Sequence, residues 1–221
     1  MATAGNTKDR ILDVAETLFA DNGFAATSLR DITREAGVNI AAVNYHFGSK
    51  DGLLGAVLER RIAPVNRQRL ELLDRAESEV GSDGADLEAL VRALLAPAFQ
   101  RLVVGDGAAQ FLRLAGRLHS EPHEQARAVF LAQFGEVIRR FVPAFRKALP
   151  HLDQDEASWR FLFVIGAMAH TMISSHMFEV QGNRQPPDLE QLLEALVQFA
   201  VAGIKAPAAA ARTSNTSGAV V

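Results

Sequence analysis

The sequence predicts an all-α protein in two parts, a small helical domain at the N-terminus and a larger helical one behind it. Three observations carry this. Apolar residues recur at spacings of three and four through most of the chain. No segment alternates apolar and polar residues as a half-buried strand would. Glycines, prolines and short polar residues fall where helices need to start and stop.

The elements follow in order. Helix one runs from about Thr7 to Asn22, with Ile11, Val14, Ala15, Leu18 and Phe19 on one stripe, and Gly23 stops it. Helix two spans about Ser28 to Ala36, with Thr27 or Ser28 as N-cap and Asp31 completing a capping box. Gly37 ends it, and Asn39 caps a third helix of about two turns. Ser49 caps a fourth that reaches about Ser78, which Pro64 should kink or divide.

Gly81 to Gly84 is a break, after which Asp86 caps a helix bearing Leu90, Val91, Leu94, Leu95 and Phe99. Gly105 to Gly107 ends it. A short helix to about His119 follows. Then one long helix starts at Glu121-Pro122 and reaches Leu149, its stripe being Ala126, Phe130, Phe134, Val137, Phe141 and Phe145. Pro150 ends it. Two last helices, about Asp153 to Val180 and Asp188 to Ile204, flank a loop at 182–187. The tail from Ala206 is low in complexity and expected to be disordered. The domains are therefore placed at 1–58, 59–205 and 206–221, with helix four belonging to both folded parts.

Composition narrows the function. A chain of 221 residues, 48% of them hydrophobic, can bury a substantial core. The absence of cysteine excludes disulfides, thiol redox sensing and cysteine-bound zinc. With no charged segment before an apolar one at the N-terminus, no signal peptide is expected, and the cytoplasm is the expected compartment. Net charge is −3, and residues 1–78 carry 10 Lys plus Arg against 11 Asp plus Glu, so bulk charge does not announce a nucleic-acid binder. The local pattern does. Residues 36–50 contain no carboxylate, and the third helix pairs an apolar back (Val38, Val43, Phe47) with a small and polar front. Such a helix suits a DNA major groove.

Residues 7–55 resemble the N-terminal helix-turn-helix domain of the TetR family of bacterial transcriptional regulators. The resemblance rests on Ile11, Ala15, Leu18, Phe19 and Gly23, on Thr27, Ile32, Ala36, Gly37 and Val38, and on the closing Tyr45-His46-Phe47-Gly48-Ser49-Lys50. Most members carry Tyr where this chain has Asn44, so that phosphate contact falls to Asn44 or Tyr45. The resemblance implies a helix-turn-helix domain joined by a long fourth helix to a ligand-binding and dimerisation domain. Asn39, Ala41, Ala42, Asn44 and His46 are expected to face the groove. Thr27, Ser28, Arg30, Tyr45 and Lys50 are expected at phosphates. The expected partners are double-stranded DNA with a palindromic operator, a second copy of the chain, and a small apolar ligand.

Residues 161–178 lack Lys, Arg, Asp and Glu, long enough to touch the threshold for a membrane span. His170, Thr171, Ser174, Ser175 and His176 argue instead for a helix packed on two sides, with no membrane partner. Gly166, Ala167 and Ala169 would let another helix approach closely. The last helix also carries more apolar surface than one core needs, which points to a four-helix dimer seam.

Ten of the thirteen phenylalanines lie in the second part. Phe99, Phe111, Phe130, Phe134, Phe161 and Phe163 fit either ordinary core packing or an apolar ligand pocket, with His170 lining it or merely buried. Arg113, Arg117, Arg139 and Arg140 could serve an acidic head group or simply a solvated face. His119 and His123 have metal-ligand spacing, but Pro122 lies between them and no third ligand is at hand. No catalytic motif and no cofactor motif is present. The reading is a non-enzymatic, homodimeric, ligand-responsive repressor, its ligand similar to those of a fatty-acid-sensing branch, acids or acyl-CoA. A small-molecule carrier or an activator on the same scaffold is the alternative.

Overall fold

A computed structural model describes residues 4–79, 86–102, 107–120, 123–150, 152–173 and 188–207, with the side chains of 4–6 and of Leu102 left aside. Among the described residues there are ten helices and no strand: α1 (Ala4–Asn22), α2 (Leu29–Glu35), α3 (Ile40–Phe47), α4 (Lys50–Ser78), α5 (Leu87–Leu102), α6 (Ala108–Ser120), α7 (Glu124–Ala132), α8 (Gly135–Ala148), α9 (Gln154–Ile173) and α10 (Leu189–Lys205). The expected break at 81–84, Gly105, Pro122, the segment 174–187 and the tail from residue 208 lie outside the described residues.

Local chemistry sets the first corners. Gly23 takes φ 83° and returns its N–H to the Phe19 carbonyl. Behind α2, Gly37 at φ 60° lets its own N–H reach Arg34 O and that of Val38 reach Thr33 O, which satisfies the last carbonyls of the helix. Ser28, Asn39 and Ser49 cap α2, α3 and α4 through their side chains.

The helices bury two adjoining cores, and α4 serves both. Leu53, Leu54, Val57, Leu58 and Ile62 pack with Ile11, Phe19, Ile32 and Val43 in the first. Val65, Leu73 and Ala76 pack with α5, α8, α9 and α10 in the second. The changeover falls between Ile62 and Val65, at Pro64. The first core also takes Phe111, Leu114 and Leu118 from α6 and Ala126 from α7.

Two expectations are corrected. Pro64 does not divide α4, which runs unbroken past it to Ser78. The long helix expected over 121–149 is two helices, α7 and α8. Between them Gln133 N–H bonds Phe130 O and Phe134 N–H bonds Leu131 O, a tightened turn that keeps the apolar stripe in register while redirecting the chain.

Candidate nucleic-acid interface and ligand cavity

The α2–α3 corner presents its outer face through Ile40, Ala41, Asn44 and Tyr45, all exposed, with Tyr45 at 85%. Val43 behind them is fully buried, so α3 is fixed by its inner side. Asn39 stands exposed at the start of the helix, but its carboxamide oxygen accepts the Ala42 N–H at 2.9 Å and serves as the cap. Ala42 and His46, expected at the groove, are half-buried on the flank; His46 stands over a groove with Gly52, Gly55 and Ala56 of α4. Sequence reasoning missed Ile40, 44% exposed in the first turn, although a bare methyl-bearing side chain there suits a thymine methyl.

The residues expected at phosphates divide. Arg30 and Ser28 are exposed, and Ser28 shares a capping box with Asp31. Asp31 is held below the usual carboxylate range, first by the Ser28 hydroxyl and then by Arg34. Thr27 is a correction: its side chain is buried, and its hydroxyl donates to Gly23 O at 2.8 Å and Leu18 O at 3.0 Å, so it locks the α1–α2 turn. The Lys50 ammonium stands 4.3 Å over the Phe24 ring and 3.5 Å from the Ala25 carbonyl. Partial burial lowers its pKa.

The small domain is clasped to α4 by charge. Glu16 is 2% exposed and meets Arg60 Nη2 at 2.6 Å and Arg61 Nε at 2.9 Å, while Arg60 Nη1 meets the exposed Asp13 at 2.6 Å. From α6, Arg117 donates to Ala20 O at 2.8 Å and Asp21 O at 2.9 Å, the last turn of α1.

A cavity of about 80 Å³ lies between α4, α6, the α7–α8 junction and α9. Phe111, Phe130 and Phe134 line it, as expected of a pocket. Phe99 and Phe161 do not; both are buried in the second core, so for them the packing alternative holds, while Phe163 fits neither alternative, being exposed. His170 does not line it either, being exposed on the far side of α9; His119 does. His123 caps α7, its Nδ1 accepting the Ala126 N–H, and among the described residues no group of three or more His, Cys, Asp or Glu could hold a metal.

The four arginines considered for a head group are engaged at the surface. Arg140 pairs with Asp74 and Glu77, Arg139 with Glu136, Arg113 with Asp21, and Arg117 holds α1. The arginine at the cavity is Arg69, which sequence reasoning missed. It is 2% exposed, and burial alone drives its pKa down to about 10. Its spacing in sequence did not reveal this, because the elements that bury it, with Leu94 and Met168, are α5 and α9.

On the far face of α9, Trp159, Leu162 and Phe163 are exposed together with Gly166 and His170. On α10, Phe199 is 70% exposed beside Ala195, Ala202 and Gly203. No helix among the described residues is long and apolar enough to cross a membrane.

Comparison with known proteins agrees with this architecture. Residues 11–57 match the family model described as bacterial regulatory proteins, tetR family, and residues 92–203 match the tetracyclin repressor-like C-terminal domain. An HTH-type transcriptional repressor of Mycobacterium tuberculosis is 55% identical over 49 residues, 22% of this chain and 26% of that one. The HTH-type transcriptional repressor KstR2 of Rhodococcus jostii is 31% identical over 102 residues, 45% and 46% of the two chains. The curated relatives sharing the N-terminal match are thus covered over only about a quarter of their length. Among solved structures, the fatty acid degradation regulator FadR from Bacillus halodurans has the same fold, with a TM-score of 0.66 at 14% identity over 90% of this chain and 96% of that one. A TetR-family regulator from Bordetella parapertussis gives 0.60 at 19% identity over 88% and 94%. With both its halves matched in this way, the chain belongs to the TetR family of bacterial transcriptional regulators.

Proposed function

We propose that this protein is a homodimeric, ligand-responsive transcriptional repressor. The observation that carries the DNA reading is the outer face of α3, where Ile40, Ala41, Asn44 and Tyr45 stand exposed on a rigidly capped helix whose stretch from 36 to 50 holds no carboxylate. Small and hydrogen-bonding groups on that face fit base edges, while Arg30 and Lys50 flank it for phosphate. The names of the relatives as repressors support the same reading.

The dimer would form through α9 and α10, whose exposed Trp159, Phe163 and Phe199 lie beside small residues that admit close helix contact. Two recognition helices related by a two-fold axis then read a palindrome with half-sites roughly 34–36 Å apart, or a multiple. The cavity would take a small apolar ligand, such as a fatty acid or acyl-CoA; its structural neighbour is itself described as a regulator of fatty acid degradation. Both α4 and α6 line the cavity and grip the small domain, so widening the cavity would reorient α3.

The test is fluorescence anisotropy of the dimer on duplexes selected from a random pool, against unselected DNA, over a salt titration. A repressor gives selective binding with a steep salt slope that ligand weakens. Weak, unselective binding with little salt dependence would replace this reading with a small-molecule carrier.

A further inference from the structure

Arg69 is a charge inside an apolar cavity, and its contacts are all neutral. Nε donates to Leu94 O at 2.7 Å, Nη1 to Asn66 Oδ1 at 3.0 Å and Nη2 to Met168 Sδ at 3.4 Å. Among the described residues no carboxylate pairs with it. A guanidinium offers five N–H donors in a planar fork, and a charge removed from water is costly until an anion meets it. Apart from Arg69 and His119, every residue lining the cavity is apolar. The cavity therefore has one cationic pole and oily walls.

We propose that the ligand of this cavity is an aliphatic carboxylic acid bound as its free anion, with the carboxylate on Arg69 and the chain against Phe111, Phe130, Phe134 and Met172. This rests on the ligand-responsive reading above and narrows it. A coenzyme A thioester has a neutral carbonyl where the acid has a charge, so it leaves the pole unanswered. The cavity, about 80 Å³, is smaller than an engineered cavity of roughly 150 Å³ that binds benzene, so a chain enters only by parting its walls. Arg69 connects that event to the scaffold. Asn66, which accepts from Arg69, donates through Nδ2 to Gln133 O at 2.7 Å, tying α4 to the junction before α8. A carboxylate competing for the guanidinium fork loosens this tie.

The test is calorimetric titration of the full-length protein at pH 7.5 with straight-chain acids from butanoic to dodecanoic, their methyl esters, and octanoyl-CoA. The best acid should bind about ten- to a hundredfold more tightly than its own ester and than octanoyl-CoA, the range expected for a hydrogen bond to a charged group. Arg69→Met, which fills the site with an apolar chain, should abolish the acid preference, and Arg69→Lys should retain part of it. Equal binding of acid and ester by the unaltered protein overturns the proposal. So does an acid preference surviving in folded Arg69→Met, or failure of every acid to bind. If Arg69→Met does not fold, the comparison on the unaltered protein still decides. DNA selectivity of the unliganded dimer is measured separately: its loss removes the regulator reading and leaves the carboxylate pole standing, whereas acid–ester parity with selective DNA binding removes only the pole.

Discussion

Replacing Glu16 by Gln should loosen the joint between the small domain and α4. The carboxylate is 2% exposed and meets two arginines within 3 Å, so the amide both loses the charge and sets N–H donors against N–H donors. Unit charges about 4 Å apart attract by roughly 4 kcal/mol at an effective dielectric of 20. Desolvation offsets part of this, and the two arginine side chains are 29% and 30% exposed, so solvent screens them further. The net loss should be about 2–3 kcal/mol. For a chain of this size that lowers Tm by roughly 4–12 °C, read by circular dichroism at one protein concentration. Asp13→Asn is the control. Its carboxylate is 68% exposed, and its loss should cost less than about 1 kcal/mol. A Glu16→Gln melt within 1 °C of the unaltered protein would refute the argument that this clasp holds the two parts together.

Three further outcomes are expected. Lys50→Ala should weaken operator and random DNA alike and reduce the salt slope by about one per subunit, while Asn44→Ala should cost about 1–3 kcal/mol on the operator only; equal losses for Asn44→Ala would move that residue to the phosphate. Gly166→Leu should abolish the dimer in sedimentation with helicity intact, because a Cβ at this glycine meets nothing in its own chain within 4 Å; a dimer of unchanged affinity would place the seam elsewhere. Gly52→Ala should impair operator binding, because its Cβ would fall 2.1 Å from the Phe47 carbonyl oxygen and force the α3–α4 corner open; anisotropy at full affinity would contradict this.

What could be read from sequence was what neighbouring residues decide. Ser28, Asn39 and Ser49 cap helices because the groups they bond lie three residues on, and Gly23, Gly37 and Gly48 follow helix ends where positive φ is needed. The turn between α7 and α8 escaped because it preserves the spacing of Phe130, Phe134 and Val137, the very signal used to infer one helix. Arg69 escaped for the opposite reason: apart from Asn66 on its own helix, its partners lie 25 and 99 residues away. That His119 rather than His170 lines the cavity escaped because periodicity places side chains on faces without saying which face meets a cavity. Thr27 reads as a surface cap candidate until the α1 carbonyls that claim its hydroxyl are in place.

Pro64 has a mechanical meaning. It sits mid-helix in α4, where the missing N–H removes the donor that Arg60 O would otherwise receive. A helix of 29 residues is about 43 Å long, and the arm from Pro64 to Lys50 is about 21 Å. A bend of about 5° at this softened point swings the recognition end by about 2 Å. In the proposed dimer the two swings would oppose, giving about 4 Å, roughly a tenth of the 34–36 Å expected between half-sites. On the ligand-responsive reading proposed above, the proline would work as a flexure in an otherwise stiff lever, turning a small displacement at the cavity into a mismatch with the helical pitch of DNA.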